Sequence, residues 1–282
     1  APEKSILTGT IKNEYEKYLS GADKNRVKSV RLRGEISCGI IIPKHFVPDF
    51  DSYDYDTDIS EFLEITHYEP PIPQELLGKV NTFSLPFIGS HDCEHYGVYA
   101  NEFIDGERVV ISEKIHGSQF IIAHDTSLNE TIVSSKGLLK RGLSIEESDG
   151  NVYWIATKND DILNKIKNNF NHGVVQLFGE VIPIQSGYTY GSDKLKVLLF
   201  DIRVDGESIP YDKVPDDFKK MWVPVLFDDN ITMDKKEIVL YSDPEKGIHK
   251  TKIEYLLPKS IIDLCKGNEL VSGEELHIRE GV

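Results

Sequence analysis

Between residues 109 and 202 the chain carries five short apolar runs, at 109–111, 120–124, 131–134, 174–177 and 196–202, each the length of a strand. Apolar residues at helical spacing, such as Ile162, Leu163, Ile166 and Phe170, are confined to intervals near 160–170, 215–221 and 258–266. Strands are scattered among helices with no repeating βαβ unit. They predict an α+β domain of antiparallel sheets.

Residues 1 to about 95 read differently. Strands are expected at 26–32 and 36–42, joined tightly through Arg33-Gly34-Glu35, with one helix near 14–19 and acidic or proline-rich loops between. Pro70-Pro71-Ile72-Pro73 fixes φ and reads as an extended linker. The 282 residues therefore divide into a small β module, 1–95, and a larger α+β domain, 96–282, with the boundary within 74–95.

No apolar run approaches the roughly 18 residues of a membrane span, and the first residues lack a basic stretch followed by an apolar one. Three scattered cysteines, Cys38, Cys93 and Cys265, do not form a disulfide framework and suit a reducing compartment, so a cytoplasmic monomer is expected. A net charge of -15 opposes unspecific nucleic-acid binding. Locally, however, Lys24, Arg26, Lys28, Arg31 and Arg33 are concentrated, and Arg31 and Arg33 would share one face of a strand. That face fits a phosphate backbone or, equally, an edge strand guarded by charge.

The chemistry centres on Ser112-Glu113-Lys114-Ile115-His116-Gly117-Ser118-Gln119-Phe120, which sets a lysine at a strand end with a glycine three residues on. Lys114 is a candidate nucleophile and Gly117 allows close backbone approach to a ligand. Downstream, Val174-Val175-Gln176-Leu177-Phe178-Gly179-Glu180, Leu198-Leu199-Phe200-Asp201-Ile202 and Ile278-Arg279-Glu280-Gly281-Val282 are strands that each carry an acid. In this order the four segments resemble motifs I, III, IIIa and IV of the covalent nucleotidyltransferase superfamily, which holds DNA ligases, RNA ligases and mRNA capping enzymes. Glu-Lys-Ile-His-Gly-Ser-Gln-Phe is most similar to motif I of the phage nick-sealing RNA ligase, with His116 where DNA ligases carry aspartate. Residues 27–43 and 65–73 resemble the amino-terminal OB module of the Deinococcus/Naegleria type of RNA ligase, with its first strands missing.

The resemblance implies a nucleotidyltransferase domain preceded by a partial OB-like module. It also implies an ATP-dependent RNA ligase that joins 3'-hydroxyl and 5'-phosphate ends of RNA or RNA-containing duplexes. Lys114 would carry AMP, His116 would touch a phosphate oxygen, and Glu113 would read the adenine amino group by its backbone or side-chain oxygen. Glu180 and Glu280 would contact ribose and a divalent metal, Mg²⁺ or Mn²⁺. Phe200 would stack on adenine, and Gln119, with Arg31 and Arg33, would meet nucleic-acid phosphates.

Lys136 stands where the phage enzyme has an arginine. It keeps the charge without the planar fork, and Arg141 is the nearby substitute. A motif V, Lys-x-Lys, is expected after motif IV, but the sequence stops at Val282, and Lys250-Thr251-Lys252 comes too early for that role. Weak self-adenylylation is therefore expected of the chain as it stands. A noncatalytic nucleic-acid binder and a capping guanylyltransferase are the rival readings. The cluster His91-Asp92-Cys93-Glu94-His95 lacks a zinc-like spacing and reads as a polar loop.

Overall fold

The computed structural model describes residues 16–20, 26–27, 30–32, 35–37, 39–47, 49–66, 72, 74–93, 102–243 and 248–282. Its contacts separate two units, Ala1–Ile72 and Pro73–Val282. In the first, β1 (Val30–Leu32) and β2 (Glu35–Ser37) pair antiparallel with Val30 opposite Ser37. The strand expected over 36–42 stops at Ser37; beyond it Ile40 and Ile42 turn inward while Ile41 is 92% exposed. The inward pair packs with buried Leu19 and with Phe46, Val47, Leu63 and Ile65, a small satellite core. The expected helix near 14–19 is a single 3₁₀ turn, Glu16–Tyr18.

In the second unit the strands are β3 (Val80–Thr82), β4 (Arg108–Ser112), β5 (Ser118–Asp125), β6 (Glu130–Ser135), β7 (Leu143–Ile145), β8 (Val174–Ile182), β9 (Lys196–Val204) and β10 (Glu207–Ser208). They are followed by β11 (Val225–Asn230), β12 (Asp234–Asp243) and β13 (Ile248–Leu256). The centre is an antiparallel sheet ordered β10-β9-β8-β5-β6. β4 pairs with β11, β12 with β13, and β3 with β7, so residues 80–82 belong to the second unit's pairing. Three helices matter for the site: α1 (Lys136–Leu139), α2 (Val152–Asn159) and α3 (Ile162–Asn169). Asn151 caps α2 by accepting from the amides of Tyr153 and Trp154.

β5 and β8 are buried almost throughout, because they occupy the middle of the sheet and are covered on both faces. One face carries Ile121, Ala123, Ile132, Val174 and Phe178, covered by Leu85 and Leu139. The smaller β4–β11 pair packs through Val109, Ile111 and Phe227 on Ile231, Met233 and Ile261. Lys250 to Lys252 lie in β13, which pairs with β12. Among the described residues no helix is long and apolar enough to cross a membrane.

Candidate active site

The segment between β4 and β5 is held at successive points. The Glu113 amide donates to Pro224 O (2.8 Å) and the Lys114 amide to Gly281 O (2.9 Å), forming an antiparallel bridge between Lys114 and Gly281. Ile115 is buried with Ile182, Tyr190, Leu198 and Val223, and the His116 amide donates to the Tyr190 hydroxyl at 2.7 Å. At Gly117 the chain passes so close to β8 that a Cβ would stand 2.5 Å from Val181 O. Any side chain there would push the lysine segment off the sheet.

Between these anchors the Lys114 side chain is half exposed, with Nζ on Glu280 Oε1. The other carboxylate oxygen of Glu280 meets His116 Nδ1 at 2.9 Å, and the His116 ring lies 4.3 Å from that of Tyr188. One glutamate thus holds the candidate nucleophile and its neighbouring imidazole together.

The sheet forms the other wall. Gln119 on β5 faces Glu180 on β8. Across β8 and β9 the register jumps: Gly179 pairs with Leu199 and Phe178 with Asp201, leaving Phe200 as the extra residue of a bulge. A Cβ at Gly179 would sit 2.6 Å from Leu198 O, so glycine is what lets β9 approach there. Phe200, Glu180, Gln119, Lys114, Glu113 and Lys136 line one cavity of about 440 Å³, together with His91, Cys93, Ser112, Ile115, Val223 and Val282. Burial raises the Glu180 carboxyl to about 7, against the opposing pull of Lys114 and Lys136.

Glu113 is 2% exposed. Its Oε2 accepts from the Leu270 amide at 2.9 Å and stands 3.9 Å from Arg279 Nε, while burial raises its pKa. Arg279 donates to three carbonyls, Leu264 O (2.6 Å), Lys266 O (3.1 Å) and Asn268 O (3.0 Å). The segment that ends in Glu280 is therefore clamped by its own neighbour, and the Glu113 carboxylate serves the clamp.

Lys136 begins α1 and meets Asp92, which Lys140 also contacts at 2.9 Å. Arg141 follows at the end of that turn and is not among the residues lining the cavity. Arg31 lies on β1, with its side chain outside the described residues, and Arg33 lies outside them altogether. His91 sits against Phe200 (ring centroids 5.0 Å apart) and Phe178 (5.4 Å), with Nε2 3.6 Å from Asp201 and Nδ1 3.7 Å from Cys93 Sγ. Glu94 and His95, the rest of that sequence cluster, lie outside the described residues. Sequence reasoning missed Tyr190, Arg279 and Lys140, which are set in place by tertiary pairing and carry no local pattern.

No curated protein matches the chain. Among solved structures, Naegleria gruberi RNA ligase with PPi is 20% identical with a TM-score of 0.53, covering 94% of this chain and 73% of that one. A variant of the same enzyme with AMP and Mn gives 20% and 0.54, over 95% and 74%. Another variant with ATP and Mn gives 20% and 0.55, over 100% and 75%. At this identity the likeness is one of fold. The RNA ligase family itself matches residues 107–282, well over half of the sequence and the whole stretch from β4 to Glu280. The chain belongs to the RNA ligase family.

Proposed function

We propose that this protein is an ATP-dependent RNA ligase that seals a 3'-hydroxyl to a 5'-phosphate, with Lys114 as the residue that carries AMP. The observation that carries the reading is the convergence of Lys114, His116 and Glu280 at the edge of a cavity that also holds Glu180 and Phe200. Likeness to a fold whose solved examples hold ATP, AMP or PPi supports it.

An ammonium has no lone pair, so Lys114 must lose a proton before its nitrogen attacks the α-phosphorus of ATP. Glu280, in contact with that nitrogen, is the acceptor placed to take it. The new N–P bond forms as the bond to pyrophosphate breaks, leaving lysyl-AMP. The 5'-phosphate of an RNA strand then takes the adenylyl group and frees the lysine, and a 3'-hydroxyl finally displaces AMP to close the phosphodiester. His116 is positioned for a nonbridging phosphate oxygen, and the Phe200 ring for the base.

Glu180 and Glu280 offer hard carboxylate oxygens suited to Mg²⁺ or Mn²⁺, and a cation beside Glu180 would reverse the effect of its burial. When bound, such an ion neutralises charge on the phosphates. The amino-terminal unit, with its β1–β2 hairpin, is read as an OB-like module that contacts the RNA backbone.

Incubating the full chain with α-labelled ATP and Mg²⁺ or Mn²⁺ tests this. Covalent label is expected on the wild type, not on Lys114→Ala, and not from α-labelled GTP. A preadenylylated RNA nick should be sealed without ATP. Label that persists in Lys114→Ala, or neither labelling nor sealing by the wild type, defeats the reading.

A further inference from the structure

The structure assigns a second cation to the cleft: we propose that Lys136 and Lys140 form a two-lysine phosphate seat, and that the Asp92 carboxylate is its resident placeholder, displaced when phosphate binds. This rests on reading the cleft as a nucleotide and RNA-end site. It extends that reading to two residues, Lys140 and Asp92, that no motif marks.

Lys136 and Lys140 are one helical turn apart, linked by the Lys140 amide donating to Lys136 O at 3.2 Å. Their ammonium groups grip opposite oxygens of one carboxylate, Lys136 on Oδ1 and Lys140 on Oδ2. A phosphate presents two nonbridging oxygens in much the same way, with more charge to share between them. Lys136 lines the same cavity as Lys114 and Glu180, so an anion on this pair lies at the mouth of the candidate site.

Two features mark Asp92 as an occupant and not as a strut. The three side chains are 40%, 49% and 46% exposed, a setting in which ion pairs contribute little to stability. The strap bearing Asp92 is also fastened by other groups. Gly89 exchanges two hydrogen bonds with the Gln176 amide (3.2 and 2.7 Å), Ser90 O accepts from Arg203 (3.3 Å), and His91 O accepts from Gln119 (3.3 Å). Apart from the lysines, Asp92 meets the Ser90 hydroxyl at 3.3 Å. The carboxylate can swing off the lysines while the strap stays in place. The two hydrogen-bonded lysines, Lys136 first, hold it well below the usual carboxylate range.

Phosphate could come from ATP or from the 5' end of RNA, and the test separates them. Calorimetry on the full chain would measure binding of inorganic pyrophosphate, and of a 5'-phosphorylated oligoribonucleotide against its 5'-hydroxyl twin. Asp92→Asn is expected to tighten the responsive probe about tenfold and Lys140→Met to loosen it about tenfold, the scale of one charge-assisted contact. Lys140→Arg should restore most of the loss. Asp149→Asn, which removes a surface charge paired with Lys158 elsewhere, should leave binding within about twofold. A response to pyrophosphate places the seat on the ATP side, and a response confined to the phosphorylated oligonucleotide places it on the RNA side.

Opposite signs for Asp92 and Lys140 are the signature, since a structural bridge would lose from both. Equal signs, no change, an Asp149 effect as large as that of Asp92, or no binding by wild type and Asp92→Asn would overturn the seat. Because binding is read without catalysis, opposite signs with no label on Lys114 would keep the seat and discard the ligase.

Discussion

The two walls of the cleft are built on opposite plans. The sheet wall, β5 with β8 and β9, is held by continuous burial: Phe120, Ile121, Ile122, Val175, Leu177 and Phe178 are all fully inaccessible. The wall that carries Glu280 has isolated bridges, Lys114 to Gly281 and Asn268 to Ile278, and two polar hubs: Arg279, which gathers three carbonyls and faces a buried carboxylate, and buried Glu269, which accepts from the amides of Ser272 and Leu276. Distributed packing fixes the sheet wall wherever it is struck. Concentrated polar contacts make the other wall depend on a few side chains, Arg279 and Glu269 foremost.

Four substitutions sharpen or break this contrast. Arg279→Met should have the largest effect, about 3 kcal/mol, because it leaves Glu113 buried without its cation and orphans three carbonyls. In hydrogen exchange the amides of 267–281 should open roughly 150-fold more often while β5 and β8 keep their protection. Equal acceleration in both walls would end the contrast.

Glu180→Gln acts on the sheet wall through charge. In the folded chain this carboxyl stays protonated up to about 7, against an ordinary value of 4.5. It costs nothing below about pH 4.5, its penalty grows as pH rises toward 7, and the penalty is complete above that, at most about 3 kcal/mol. The metal-free variant should therefore melt several degrees higher than wild type at pH 8 and within about a degree of it at pH 4.5, while losing adenylylation. A gain equal at both pH values would remove the burial argument.

Gly117→Ala should cost about 2 kcal/mol, since the added methyl meets backbone and not a movable side chain. Urea denaturation would measure it, and a neutral result would mean that β8 yields more easily than its packing suggests. Glu280→Gln should be the mildest for folding, within about 1 kcal/mol, because its partners are substantially exposed. Labelling of Lys114 should nonetheless fall roughly a hundredfold, through loss of the proton acceptor. A large fall in melting temperature instead would make Glu280 a structural member of its wall.

The antiparallel α+β plan was legible because strands packed on a core carry short apolar runs: 109–111, 120–124, 131–134, 174–177 and 196–202 all lie within observed strands. Asp234–Asp243 and Ile248–Leu256 escaped notice although Ile238-Val239-Leu240-Tyr241 is a strand-length apolar run, because charged residues before it and through 250–254 break up the alternation on which a hairpin is read. Val152–Asn159 escaped for the opposite reason. Its run Val-Tyr-Trp-Ile is apolar all round and gives no helical stripe; the one local signal was the cap, Asn151. In the site, Lys114, His116, Gly117, Glu180, Phe200 and Glu280 stand on or beside a common cleft, each within a segment of recognisable order. Tyr190, Arg279 and Lys140 could not be picked out, because what distinguishes them is a partner far away in the chain. Glu113 was seen, but its carboxylate is turned to Leu270 and Arg279, a direction that no linear pattern records.

The unpaired Phe200 has an effect on length variation. Because two neighbouring side chains, Phe200 and Asp201, are both sent to the side of the sheet that bears Phe178 and Glu180, every residue after them is out of phase with every residue before. Deleting the Phe200 codon alone would restore plain alternation and leave Asp201 opposite Phe178, so His91 would keep its carboxylate and Phe178 its guanidinium while the cleft lost one aromatic ring. Homologues that lack the extra residue should therefore differ in the ring offered to the cleft and agree in the pairing on either side of it.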